Sequence, residues 1–255
     1  MKGKVYLVGS GPGGTAFLTK RGRAVIDKAD VVLFDQLPGE EILATLPERA
    51  EKIDCGKYGG KHTLEQDEIE AIMVDRASKG KLVVRLKGGD PFLFGRGGEE
   101  LETIRAAGIP VEMVPGISSA LAVPASVGIP LTHRKHASQV TILTGNEDPA
   151  KPGPALDWQL LAKSRGTIVI LMGVANLAKI VDALTKNGKP EETPVAIIER
   201  GLRIDRRVTT GTLGTIAGAA EKGGVKPPAV IVIGDVVKLY DPENPDLIPR
   251  GEAGE

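Results

Sequence analysis

Residues 4–14, KVYLVGSGPGG, pass from an apolar run directly into a cluster of glycines. Val5–Val8 has the make-up of a buried strand, and Gly9, Gly11 and Gly14 satisfy G-x-G-x-x-G ahead of a helical segment expected from about Thr15 to Ala29. A strand, a glycine turn and a helix in that order open an α/β unit. Asp35 closes the next strand, Val31–Phe34, at the distance where dinucleotide-binding folds keep a ribose-binding acid. Read alone, these features favour an adenosine-containing ligand, with NAD(P) first and an oxidoreductase as the activity. Pro12 counts against a phosphate cradle, because it removes a backbone donor and fixes φ.

Working outward, Lys52–Cys55 and Leu82–Leu86 are the next strands, separated by a charged helix over Leu64–Lys79. The end of a further helix, Leu101–Ala107, precedes the strand Val111–Val114. Short continuous apolar runs joined by helices are the pattern of parallel strands buried on both faces. The stretch PGISSALAVPASVGIPLTHR, with Pro115, Gly116, Pro124, Gly128 and Pro130 around a small-residue helix, is the expected connection between domains. Beyond it come the strands Val140–Leu143, Thr167–Met172, Val195–Glu199, Arg207–Thr209 and Val230–Ile233. Helices over about Trp158–Lys163, Asn176–Lys186 and Leu213–Ala220 separate several of them, which fits a mixed sheet. The expected organisation is α/β in two domains, residues 1–115 and 116–240. Residues 241–255, DPENPDLIPRGEAGE, have the composition of a disordered tail.

Composition excludes several classes. The 33 Lys+Arg are balanced by 33 Asp+Glu, which argues against a general nucleic-acid binder. Aromatic residues make up only 3%, so base-stacking platforms are not expected either. No apolar run approaches the ~20 residues of a membrane span. The single cysteine, Cys55, rules out an internal disulfide framework and a multi-cysteine metal site. His133 and His136 are spaced H-x-x-H without a third ligand, so no metal is expected. The start, MKGKVYLVGSG, lacks a cleavable signal pattern, and the expected location is cytoplasmic. Local charge is less even: Lys57, Lys61 and His62, the run from His133 to His136, and Arg203, Arg206 and Arg207 are cationic groups, either a solvated face or a pocket for a small polyanion.

The segment RLKGGDPFLFGRGGEE is the least ordinary part of the chain. Its glycines surround Asp90–Pro91 just beyond a strand, where a ligand loop is expected. Together with VGSGPGG, VPGISSA and GIPLTHR, in that order, it resembles the uroporphyrinogen-III C-methyltransferase family of the tetrapyrrole methylases. The resemblance extends from about Lys4 to Leu239 and demotes the G-x-G-x-x-G match to a feature shaping the substrate side. It implies two α/β domains with the donor in the cleft between them. The donor is S-adenosyl-L-methionine, leaving as S-adenosyl-L-homocysteine, and the substrate is a polyanionic tetrapyrrole. The reaction is methylation of C2 and C7 of uroporphyrinogen III to precorrin-2 through precorrin-1. A homodimer is implied as well, and a sister methylase acting on a later precorrin is the near alternative.

Carried over motif by motif, the resemblance assigns Pro12, Gly88, Gly89, Asp90, Leu93, Ser118, Ser119, Met172, Gly201 and Ala229 to donor binding. It implies that Asp35 accepts a proton and Lys57 donates one. Lys61, His62, His133 and Arg134, joined by Arg21 and Arg23, would face the substrate's carboxylates. Plainer roles compete at two positions: Lys57 as a carboxylate clamp, and Asp35 as a strand-end acid holding a loop or a cation. Met172 has its own rival reading as core of an apolar strand. Departures from the family pattern are Gly14 where many members have Asp, Gln36 where many have Arg, Leu202 in place of a common Thr, and Arg206 where Gln is frequent.

Overall fold

A computed structural model describes residues 3–58, 61–62, 64–147 and 156–244, with backbone only for residues 57, 58, 61 and 62. The expected tail lies outside the described residues from position 245 onward. The chain divides after Ser119 into two compact units.

The first unit is built on β1 (Lys4–Gly9), α1 (Lys20–Ile26), β2 (Val31–Phe34), α2 (Glu40–Ala44) and β3 (Glu51–Asp54). A short hairpin follows, β4 (Lys57–Tyr58) with β5 (Lys61–His62), and then α3 (Gln66–Ser78), β6 (Leu82–Lys87), α4 (Gly97–Ala106) and β7 (Val111–Val114). Five strands form one sheet in the order β3-β2-β6-β1-β7, and every pairing in it is parallel. Alternate residues of each strand go to opposite faces. Val5, Leu7, Val31, Leu33 and Val83 join Ile69, Met73 and Ile104 on one face. Val8, Val32, Val84 and Leu86 join Ile26 and Ile42 on the other. Both faces are covered, which is why these strands read as continuous apolar runs. The helix expected over Thr15–Ala29 is shorter and split: Thr15–Phe17 is a single 3-10 turn, and α1 starts only at Lys20, where the Thr19 hydroxyl accepts the Gly22 N–H.

The second unit is opened by α5 (Ser119–Ser126) and β8 (Val140–Thr144). It continues through α6 (Trp158–Lys163), β9 (Thr167–Leu171), α7 (Leu177–Lys186), β10 (Pro194–Glu199), β11 (Arg207–Thr212), α8 (Leu213–Lys222) and β12 (Ala229–Ile233). The sheet order is β11-β10-β12-β9-β8, parallel between β8 and β9 and antiparallel elsewhere. Ile168, Ile170, Val195, Ile197, Ile231 and Ile233 pack with Leu161, Ile180, Leu184 and Ile216 in its core, with Trp158 against them.

Candidate active site

The carboxyl ends of the first sheet gather one group of the expected site residues. Pro12 follows β1, Asp35 follows β2, Gly88 to Leu93 follow β6, and Ser118 follows β7. Open parallel sheets bind ligands at this edge. Its floor is made of backbone. A Cβ on Gly116 would lie 2.1 Å from the Gly89 oxygen and 2.8 Å from Gly9 Cα, and one on Gly9 would lie 2.5 Å from the Gly89 oxygen. Only glycine lets three chain segments meet this closely.

The same contacts overturn the dinucleotide reading of G-x-G-x-x-G. The Gly11 N–H donates to Gly89 O (3.2 Å), the Gly89 N–H donates back to Gly11 O (2.8 Å), and the Ser10 N–H donates to Lys87 O (2.8 Å). Donors that would cradle a phosphate are used within the fold, and the first α-helix begins nine residues after Gly11. Asp90 is also engaged: Oδ1 accepts the Phe92 N–H (2.9 Å) and Oδ2 the Gly116 N–H (3.1 Å). Its carboxylate ties the loop after β6 to the loop after β7, and Gly88 and Gly89 beside it are half-buried.

Asp35 does what its plainer reading expected. Oδ1 accepts the Leu37 N–H (2.9 Å), and Oδ2 lies 3.8 Å from an Arg85 guanidinium nitrogen. Its side chain remains 23% exposed. Arg85 escaped the reading of the sequence, although a cation inside the run LVVRLK was a usable signal.

Lys57 and His62 are opposite each other in the β4–β5 hairpin, as are Tyr58 and Lys61. The side chains of Lys57, Lys61 and His62 lie outside the described residues. Arg21 is not part of the carboxyl-edge group: it forms an ion pair with Glu112 of β7, which Lys4 shares. Arg23 pairs with Asp27.

In the second unit, β8, β9 and β10 run one way and β12 the other, so the carboxyl ends of β9 and β10 share an edge with the start of β12. Met172, Gly201 and Ala229 all fall there, and Ala229 pairs with Glu199. Met172 corrects its sequence reading as strand core. It lies one residue beyond β9, has a left-handed backbone (φ 57°) and is 49% exposed. Gly201 is closely fitted, since a Cβ would come within 2.4 Å of the Val123 side chain. Its carbonyl accepts from Ser126 Oγ (3.4 Å) and Arg206 Nη1 (3.5 Å), and Arg206 Nη1 also donates to Ser126 O (3.1 Å). Arg206, noted above as a departure and as one of a cationic group on a solvated face or in a polyanion pocket, is instead buried and holds this loop in shape. His133 and Arg134 belong to a turn leading into the other end of β8. There the His133 Nδ1 accepts the Lys135 N–H (3.2 Å) and the His133 ring lies 4.8 Å from that of His136. Among the described residues no group of His, Cys, Asp and Glu is arranged to hold a metal, and no helix is long and apolar enough to cross a membrane.

Two α/β units, the first with loops tied together by glycines at its carboxyl edge, are the architecture in which the family comparison is read. The family model for tetrapyrrole (corrin/porphyrin) methylases matches residues 4–217, and the chain belongs to that family. It is 58% identical over 239 residues to an S-adenosyl-L-methionine-dependent uroporphyrinogen III methyltransferase of Methanosarcina barkeri, covering 94% of each chain. It is 50% identical over 242 residues to a uroporphyrinogen-III C-methyltransferase of Methanocaldococcus jannaschii, covering 94% of this chain and 99% of that one. Among solved structures, uroporphyrin-III C-methyl transferase from Thermus thermophilus complexed with S-adenosyl homocysteine superposes with a TM-score of 0.80 at 37% identity, over 93% of this chain and 100% of that one.

Proposed function

We propose that the chain is an S-adenosyl-L-methionine-dependent methyltransferase that methylates uroporphyrinogen III at C2 and C7, giving precorrin-2 through precorrin-1. The near full-length likeness to relatives of that activity carries the reading. We assign donor contacts to Pro12, Gly88, Gly89, Asp90, Leu93, Ser118 and Ser119 of the first motif set, and to Met172, Gly201 and Ala229 of the second. When bound, the donor supplies an electrophilic methyl on sulfonium, which the electron-rich pyrrole carbon attacks.

The protein's own part is positioning and proton handling. Each methyl gained obliges the macrocycle to lose one proton, which Asp35 takes; Lys57 gives a proton at one position of the ring system as another leaves a second position, a tautomerisation with no net change in protons. Lys61 and His62 receive the substrate's carboxylates, while His133 and Arg134, at the other end of β8 from the donor edge, are left out of that set. The reading extends to a cytoplasmic homodimer, checked by light scattering of the purified protein.

Anaerobic incubation with uroporphyrinogen III and isotopically labelled donor, followed by mass analysis of the tetrapyrrole, tests the reaction. Two added methyl groups are expected. No transfer, with the donor still bound, overturns the substrate assignment and moves it to a later precorrin.

A further inference from the structure

One face of β6 changes its chemistry along its length. Val83 belongs to the apolar layer under α3 and α4. Two and four residues later, on the same face, come Arg85 and Lys87, only 4% and 5% exposed. The central strand of a parallel sheet covered on both faces is normally apolar there. Glu100 of α4, fully buried, answers both cations with a single oxygen. Its Oε1 accepts from Arg85 Nε (3.2 Å), Lys87 Nζ (2.8 Å) and Gln66 Nε2 (3.3 Å). Its Oε2 is buried and has no hydrogen-bond partner among the described residues. The neighbouring Glu70 is engaged by Gln66 and Thr103.

Such a network is a poor stabiliser. Desolvating the ions costs as much as their attraction returns, and an unpaired buried oxygen adds to the deficit. Burial and the Arg85 charge lower the Lys87 pKa, against the pull of Glu100. Two cations share one carboxylate, so one positive charge is left over, and Arg85 carries it to the functional edge. Its Nη1 donates to Leu86 O (3.3 Å), and its Nη2 lies 3.8 Å from Asp35 Oδ2.

We propose that Arg85 and Glu100 are positioning residues for methyl transfer. Glu100 fixes the guanidinium, and the guanidinium fixes the orientation of Asp35, whose other oxygen is held by the Leu37 N–H. Lys87, by sharing Glu100, keeps that carboxylate from cancelling the charge of Arg85. The proposal rests on Asp35 being the proton acceptor.

A mutant cycle on the full chain separates the two claims, with kcat, the KM for the methyl donor and calorimetric affinity for S-adenosyl-L-homocysteine as readouts. Asp35→Asn should lower kcat by about 100-fold or more, the range lost with a general base. Arg85→Lys retains a charge but not the fork that reaches two carboxylates, and should lower kcat about tenfold with donor KM and S-adenosyl-L-homocysteine affinity unchanged. Added to Asp35→Asn, it should cost nothing further. A full additional loss in the double variant, or donor affinity falling in step with kcat, overturns the positioning role. Undiminished kcat in Asp35→Asn removes the base assignment and the proposal with it. A loss in Asp35→Asn but none in Arg85→Lys overturns the proposal alone. If Arg85→Lys does not fold, the triple variant Arg85→Met, Lys87→Met, Glu100→Met removes every buried charge of the network and carries the same cycle.

Discussion

Glu100 in the first unit and Glu199 in the second are both fully buried and both hold arginines, yet their oxygens are used differently. Glu199 ends β10 opposite Arg207, the first residue of β11. Its Oε2 accepts Arg207 Nε (2.6 Å), and its Oε1 accepts Arg207 Nη2 (2.8 Å) and the Lys226 N–H (3.0 Å), with Arg200 at 3.7 Å. Every lone pair that matters is satisfied, the Arg207 fork is bidentate, and the guanidinium stays 45% exposed, so only one ion is fully desolvated. Glu100 has three donors on one oxygen, none on the other, and two buried cations beside it. The first arrangement suits a clamp that keeps a hairpin and the adjoining Arg200–Gly201 turn in register. The second suits a device that holds charge under a working edge.

The largest expected effect breaks or supports that contrast directly. Glu199→Ala should cost about 3 kcal/mol in urea unfolding, because the Lys226 N–H and two arginines lose their common acceptor. The triple variant Arg85→Met, Lys87→Met, Glu100→Met should leave the unfolding free energy unchanged within about 1 kcal/mol or raise it, while methyl transfer falls. A triple variant as unstable as Glu199→Ala would mean that the two glutamates do the same job.

A smaller effect sharpens the same point through pH. Burial pushes the Glu199 carboxyl upward, but the bonds from Arg207 and the Lys226 N–H, with the charges of Arg207 and Arg200, outweigh it and hold it below its ordinary 4.5. A depressed carboxyl adds stability that is complete above the ordinary value and is lost as pH falls through the folded one. The stability gap between the wild-type chain and Glu199→Gln should therefore be widest at neutral pH and close as pH drops below 4.5. A gap that stays constant down to the acid transition would assign the stability to packing instead.

Much of the fold was legible because buried parallel strands announce themselves. Val31–Phe34 is a continuous apolar run, and it sits inside the sheet with both faces covered. What misled was local chemistry whose meaning depends on a distant partner. The glycines of VGSGPGG suit a phosphate cradle and a backbone junction equally well, and the choice is made by Gly89, far along the chain. Met172 belongs to an apolar run, but the β9 ladder ends at Leu171, so the next residue turns outward. Asp35 and the loop after β6 were singled out through motifs. Arg85, Lys87 and Glu100 were not, because each looks like an ordinary surface charge until the pairing order puts β6 at the centre of its sheet. Arg206 was noticed as a departure, and only its burial against Ser126 and Gly201 gives that departure a role.

The smallest expected effect uses Cys55, a buried thiol of the first unit. Burial pushes its pKa up to about 11, with nearby Asp35, Asp54 and Glu100 acting in the same direction and Arg85 against them. At pH 8 only about 0.1% of such a thiol is ionised, so alkylation of the folded protein should be slow and should quicken with each unit of pH. Because Cys55 is shielded by the first unit's own core, its reaction reports opening of that unit. Glu199→Ala acts in the other unit and should leave the alkylation rate at pH 8 unchanged without denaturant. A rate that rises in step with the lost stability would show that the clamp in the second sheet also keeps the first one closed, and the division of labour between the two glutamates would have to be redrawn as one cooperative structure.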